Sequence, residues 1–389
     1  MNRVVITGMG LVCANAANKE EFARASVTGK QGMKKCTVFS TKGLLTDYFG
    51  EAESVTEGDR LFELIRLSCG EMMEDCGMTP EKISAFGTDC RLFYGTLLSS
   101  AGYYYKHSLA KANGETDKEL PAINDYAAYV KELTGVKGAA DVSCAACASG
   151  TTAAGMAFDY IRSGICSRAV IGGADALSII SGYGFNALRS LSSGICSPWD
   201  SNRDGINIGE CGVFFMAQTL ESALEEKAHI YCELCGAATG NDGYHITSPN
   251  PDGSGAYNTM KNACSDGGAA IDSIDYINVH GTGTRINDAM ESKAIADLFG
   301  GKRPLISSTK AQLGHCMGAS GLIELASVIF SMNEGRYIPM PELKDPIDGN
   351  ASAKSFDVDI SCALSDSFAF GGSSASILIK KYSDGGDPR

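Results

Sequence analysis

The sequence predicts an α/β protein with largely parallel sheets, on three observations. Short β-branched or apolar runs alternate with helical patterns along the whole chain, the order that βαβ units leave in a sequence. The 389 residues hold 46 glycines and only 10 prolines, which suits tight strand-to-helix turns rather than linkers or disorder. A small-residue tripeptide, Ala148-Ser149-Gly150, recurs as Ala319-Ser320-Gly321, each time opening an apolar helix. That recurrence points to two similarly built halves meeting near residues 220–240.

The elements follow in order. The valine and isoleucine run at 3–6 reads as a buried strand, too short for a signal peptide or a membrane span. Helix 59–75, strand 91–94 and helix 125–133 come next. The segment 141–155, DVSCAACASGTTAAG, ends a strand with two cysteines and opens the small-residue helix 149–161. Strands follow at 169–171 and 213–217, and the charged stretch 221–227 reads as a solvated helix end at the junction of the halves. The second half then repeats the alternation: strand 230–235, helix 255–264, strand 276–279, helices 288–298 and 320–332, and strand 376–379.

Composition excludes several functions. The formal net charge of −13 argues against nucleic acid or an anionic membrane as a general partner, since both call for a basic face. An acidic partner has to meet a local basic patch. Fifteen cysteines are scattered without a regular framework in a chain large enough to need no staples, so reduced thiols and a cytoplasmic location are expected. Two Cys-x-x-Cys pairs, Cys144 with Cys147 and Cys232 with Cys235, lie much further apart than the roughly 15–20 residues of a zinc ribbon. No nearby histidine completes either pair, and residues three apart in a strand face opposite sides. No metal is expected.

Cys147 has a different setting. A thiol where a helix starts meets unpaired backbone N–H groups and the positive end of the macrodipole, which favours thiolate. The small residues around it let a slender acyl chain approach the sulfur. Histidine is scarce, with five in the chain, and two of the five occupy glycine-rich turns. His280 follows the apolar strand 276–279, where α/β proteins often carry site residues. His315 lies in SSTKAQLGHCMGASGLIE, with Lys310 five positions before it.

These residue types suit one chemistry. A thiolate takes an acyl group from a thioester, and the acyl-enzyme separates loading from condensation. Decarboxylation of a malonyl thioester then puts negative charge on its thioester oxygen, where two neutral imidazoles donating N–H bonds stabilise it as it develops. The acyl carbonyl needs its own pair of backbone donors; the turn SFAFGGSS offers one at Phe370.

Taken together, VITGMG, AACASG, VIGGADAL, PWDSNRDGINIGE, YHITSP, HGTGT, SSTKAQLGH and FAFGGSS, in this order, resemble the β-ketoacyl-acyl carrier protein synthases, the condensing enzymes, nearest the elongating type. The resemblance implies a thiolase-like α/β fold of two βαβαβαββ halves, 1–228 and 229–389, stacked as five layers. It implies a homodimer, with a heterodimer beside a ketosynthase-like subunit as the alternative, no cofactor, and acyl carrier protein with its phosphopantetheine-linked acyl and malonyl groups as partner. By motif it makes Cys147 the nucleophile rather than Cys144, and His280 and His315 the decarboxylation pair. Lys310 becomes the charge that orders the site, Glu324 its carboxylate partner, and Asp288 a support of the turn. Thr282, Thr284 and Thr247 become contacts of the phosphopantetheine arm. Phe370 becomes both a gate and, with Cys147, an oxyanion-hole donor.

Three positions depart from the family pattern: Ala146 where threonine is usual, Asp366 for a frequent asparagine, and Ser374 where asparagine is common. The expected activity is decarboxylative Claisen condensation in type II fatty-acid synthesis; a stand-alone polyketide ketosynthase of the aryl-polyene kind is the alternative. A thiolase is disfavoured because SFAFGG stands where thiolases carry a second cysteine in a Cys-x-Gly turn. A non-catalytic chain-length subunit is disfavoured by Cys147 itself.

Overall fold

The computed structural model of the chain describes residues 1–56, 59–97, 101–115 and 123–383. Its strands are β1 (Val4–Cys13), β2 (Met33–Lys35), β3 (Tyr48–Gly50), β4 (Cys90–Gly95), β5 (Ala140–Ser143), β6 (Arg168–Asp175), β7 (Cys211–Thr219), β8 (Cys232–Asn241), β9 (Tyr276–Asn278), β10 (Leu305–Ser307), β11 (Cys362–Phe368) and β12 (Ser373–Lys380). Strands β2 and β3 form a separate ribbon, and the other ten make one sheet in the order β10-β9-β11-β12-β8-β1-β7-β6-β4-β5.

That order repeats itself. Read outward from the join, β1, β7, β6, β4 and β5 occupy the same places as β8, β12, β11, β9 and β10. In both groups the outer three strands are parallel. The inner two run antiparallel to their neighbours, and β1 pairs antiparallel with β8 at the join. The sheet is therefore mixed, which corrects the expectation of largely parallel sheets. Between β11 and β12 the reason is the tight Ala369–Gly372 turn, far too short for the crossover that a parallel pair requires.

Helices cover the sheet in layers. Ser149–Arg162 packs on β4 and β6 of one group and on β8 and β12 of the other, and Ser320–Glu334 lies against it, touching β7 and β11. These two helices form the middle layer. Arg60–Asp75 and Ile123–Thr134 cover one outer face, and Ser254–Asp266 and Arg285–Phe299 the other. The result is α-β-α-β-α. Small residues make the middle layer possible: a Cβ at Gly150 would lie 2.8 Å from Leu322 Cγ, and one at Gly321 only 2.0 Å from Thr151 Oγ1. From Ser320 to Met332 the second middle helix is buried all round, as a helix with sheet or helix on every side must be. Among the described residues no helix is long and apolar enough to cross a membrane.

Several expected elements extend further than their apolar runs. The strand expected at 3–6 continues to Cys13 with every residue buried, because Gly8 and Gly10 interrupt the hydrophobic run without interrupting the strand. The helix expected at 288–298 starts at Arg285, where the Thr284 side chain accepts from Asn287 N–H. The charged stretch at the junction is the short helix Leu220–Glu226, closed by Lys227 in the left-handed region.

Candidate active site

Each middle helix is preceded by the same turn. In the first half, Ala146–Ala148 forms a 3-10 turn that enters helix Ser149–Arg162 and carries Cys147. Ala146 takes φ 50° to make it. In the second half, Met317–Ala319 enters helix Ser320–Glu334 in the same way, with Met317 at φ 53°. The residues before them also match, Ala145 at φ −97°, ψ 43° and Cys316 at φ −83°, ψ 28°. Gly318 therefore occupies the place in the second turn that Cys147 occupies in the first. No side chain caps either helix, so backbone N–H groups face the turn.

Cys147, His280 and His315 converge. Their ligating atoms all lie within 4.8 Å of one another, and all three residues are buried. His280 is the second residue after β9, and its own N–H and that of Gly281 donate to Glu291 at 2.6 and 2.9 Å. His315 is pinned on both sides by 207–209: its N–H donates to Asn207 O at 2.7 Å, and Gly209 N–H donates to its carbonyl at 3.0 Å. The ring planes cross at 83° with centroids 5.4 Å apart.

Hydrogen bonds assign both tautomers. Met317 N–H donates to His315 Nδ1 at 3.1 Å, with Ser320 Oγ 2.8 Å from the same nitrogen. Lys310 Nζ lies 3.5 Å from His280 Nδ1. A backbone N–H and an ammonium can only donate, so Nδ1 of each ring accepts and Nε2 bears the proton. Burial, with the positive Lys310 adding to it, holds both imidazoles well below their ordinary pKa. Both rings are thus neutral and present N–H to the pocket.

Lys310 joins the parts. Its ammonium donates to the His280 carbonyl and to Glu324 Oε1, and the Lys310 and Glu324 side chains are 2% and 1% exposed. Burial pushes the Glu324 carboxyl up to about 7 against the pull of Lys310. Burial also pushes the Cys147 thiol up to about 12, with Lys310 pulling it down. Cys147 therefore favours the thiol over the expected thiolate: it is 5% exposed, and desolvation of the charged sulfur outweighs the nearby cation. Cys144, by contrast, is exposed.

One pocket of about 360 Å³ connects these groups to the surface. Its wall includes Thr247, Thr282, Thr284 and Phe370 along with the cysteine and both histidines. The Thr282 and Thr284 hydroxyls lie 3.0 Å apart, and Thr247 N–H donates to His245 Nδ1 at 3.1 Å. Asp288 sits beneath, accepting from Trp199 N–H at 2.9 Å and Gly283 N–H at 3.2 Å, beside the Arg203 guanidinium at 3.4 Å. Phe370 is 36% exposed, and its ring lies 6.1 Å from that of Phe185. Neither Cys147 N–H nor Phe370 N–H is taken up by a carbonyl among the described residues.

Sequence reasoning passed over Glu291, Ser320 and Phe185. Glu291 had a signal: it lies one helical turn beyond Asp288, on the face that turns toward the HGTGT loop.

Cysteine with two histidines is also a donor set that zinc uses. Here it does not fit a metal. Ligating histidines normally give their outer N–H to an acceptor, freeing the inner nitrogen's lone pair; both outer nitrogens accept instead, and the protons face the pocket.

The β-ketoacyl synthase N-terminal domain family matches residues 1–223, and the β-ketoacyl synthase C-terminal domain family matches 231–344. The chain is 31% identical over 412 residues to the chloroplastic 3-oxoacyl-[acyl-carrier-protein] synthase II of Arabidopsis thaliana, covering 98% of this chain and 76% of that one. Among solved structures it resembles the ishigamide ketosynthase/chain length factor at 25% identity and TM-score 0.89, covering 98% of this chain and 100% of that one. It also resembles a β-ketoacyl synthase from Burkholderia phymatum STM815 at 26% identity and TM-score 0.85, with the same coverage. With a family model over more than half of its length and a relative of this identity and coverage, the chain belongs to the β-ketoacyl synthase family of condensing acyltransferases.

Proposed function

We propose that the chain catalyses decarboxylative Claisen condensation of a Cys147-bound acyl group with malonyl-acyl carrier protein in type II fatty-acid synthesis. The observation that carries this reading is the pair of neutral imidazoles, each with Nε2–H facing the pocket of Cys147.

In the first half-reaction Cys147 sulfur attacks the acyl carbonyl and the carrier sulfur leaves, taking up the thiol proton. The N–H groups of Cys147 and Phe370 hold the oxyanion. In the second, the bond between the malonyl carboxylate and its α-carbon breaks, carbon dioxide departs, and the electron pair becomes an enolate whose oxygen accepts from His280 and His315. The enolate carbon attacks the acyl-Cys147 carbonyl. Collapse of that adduct breaks the carbon–sulfur bond, releases the 3-oxoacyl carrier and leaves a thiolate that takes a proton from water.

Lys310, paired with Glu324, keeps the imidazoles neutral and fixes His280; Asp288 holds the turn; Thr247, Thr282 and Thr284 line the path of the phosphopantetheine arm. The working unit is a homodimer in which residues 1–228 supply the nucleophile and 229–389 the histidines and the gate. The fifteen free thiols suit the cytoplasm, where thiols stay reduced.

The test presents malonyl carrier protein with a panel of saturated and polyenoyl acyl carriers, then weighs the products. Saturated 3-oxoacyl products are expected; preference for polyenoyl primers would replace fatty-acid synthesis with an aryl-polyene pathway. His280→Ala and His315→Ala should each cost about 10²–10³-fold in carbon dioxide release and much less in self-acylation, whose oxyanion rests on backbone donors. Equal losses in both steps would remove the division of labour.

A further inference from the structure

Among the described residues every arginine forms an ion pair with a carboxylate except Arg24, Arg189 and Arg285. Two of those three line the pocket that ends at Cys147. In a chain with 46 acidic and 33 basic residues, a guanidinium that meets no carboxylate is an exception, and two in one wall form a local positive site. Arg285 Nε donates to Arg203 O at 3.4 Å, and its other nitrogens make no bond among the described residues. Arg189 takes φ 55°, a region that costs a bulky side chain energy. The one carboxylate in this wall, Asp204, is already engaged by Ser192 Oγ at 2.6 Å and by Ser193 N–H at 3.1 Å. Thr247, Thr282 and Thr284 line the same pocket as these two arginines and the sulfur.

We infer that Arg189 and Arg285 form a phosphate subsite, which holds the phosphodiester of the phosphopantetheine arm while its thioester reaches Cys147. The inference rests on the condensing reading above and adds to it the group that is recognised. A guanidinium presents a planar fork of donors that matches phosphate oxygens two at a time. Both arginines are exposed where they line this pocket, so the subsite lies at its mouth, open to solvent and leading inward to Cys147. The thioester has to pass this mouth to reach Cys147, which sets the phosphate of its arm beside the two guanidinium groups; the carboxylates of a docked carrier are the competing occupant that the intact-carrier arm of the experiment detects.

The experiment measures Cys147 acylation by intact mass with one saturated acyl group on three thioesters: acyl-pantetheine, acyl-phosphopantetheine and acyl carrier protein. The full chain should show a KM about tenfold lower for the phosphorylated small thioester than for the unphosphorylated one, the scale of one charge-assisted contact. In the double variant Arg189→Gln/Arg285→Gln that ratio should fall to within about twofold of one, with Arg189→Lys/Arg285→Lys keeping part of it. A ratio that survives the glutamine variant, or one that is absent from the unsubstituted chain, overturns the subsite. So does a loss confined to intact carrier protein, which would place both arginines on the carrier's carboxylates. Failure of the unsubstituted chain to accept any of the three thioesters sinks the condensing reading itself, and the subsite with it.

Discussion

The backbone N–H of Met317 donates to Nδ1 of His315 across 3.1 Å. One hydrogen bond from a residue at φ 53° thereby decides which nitrogen of the imidazole faces the pocket. The expected outcome in ¹⁵N NMR of the imidazoles is the Nε2–H tautomer for His315. It should persist without protonation as the pH falls through the range where an ordinary histidine titrates, because burial and Lys310 hold its pKa well down. A midpoint near 6.5, or a proton on Nδ1, would contradict the assignment.

The two cysteines of the CAAC run differ in burial and neighbours. Cys147 stands within 4.8 Å of both histidines and Cys144 is exposed. Cys147→Ala should abolish acyl transfer, by more than about 10³-fold, since no other group can carry the acyl intermediate. Cys144→Ala should stay within about twofold, as exposed substitutions away from the chemistry do. Intact mass after incubation with acyl carrier protein reads both; an acyl adduct persisting in the Cys147 variant would reassign the nucleophile.

Lys310 and Glu324 make the buried ion pair on which the His280 carbonyl also hangs. Replacing one member strands the other, which typically costs about 3–5 kcal/mol. Lys310→Met should lower the denaturation midpoint accordingly, and Lys310→Met/Glu324→Leu should recover much of the loss while remaining inactive. If the double variant is no more stable than the single, the lost stability comes from packing and not from a stranded charge.

Asp366 is wholly buried on β11, and neither carboxyl oxygen has a hydrogen-bond partner among the described residues. Burial pushes it up to about 7, Ser376 across β12 draws it down, and Glu324 adds to the rise. A carboxyl with a raised folded pKa binds more protons folded than unfolded between the two values, so the stability it permits falls as pH rises through that window. Asp366→Asn removes the penalty. Its gain over the unsubstituted chain should grow from about pH 4 to pH 7, on the order of 1 kcal/mol per unit, and then level off. A gain that does not change with pH would mean that Asp366 does not titrate in the fold.

How much of this was legible in the sequence depends on how each element announces itself. Strands such as β6 and β7 are apolar because sheet or helix covers both faces, and helix Ser320–Glu334 is apolar for the same reason; all could be placed from hydrophobic runs. Strand β11, CALSDSF, was not read as a strand, because Ser365, Asp366 and Ser367 are polar yet buried. Hydrophobicity does not register a strand that faces a polar site. Cys147, His280 and His315 were singled out by scarcity and turn context, and the structure brings them together. Glu291 and Phe185 were not, because their contacts cross from one element to another. Nor could the thiol state of Cys147 be read, since burial is a property of the assembled layers and not of the helix start that carries it.

The matched turns at Cys147 and Gly318 set a stoichiometry. A Cβ at Gly318 would stand 2.5 Å from Leu97 N and 2.8 Å from Asp175 Oδ2, so the second turn has no room for any side chain, let alone a sulfur. One of the two matched turns carries the sulfur; the other, with no room for a side chain, is followed by the helix that carries Glu324. For all its internal symmetry, then, the proposed condensation has room for a single acyl group per chain at a time.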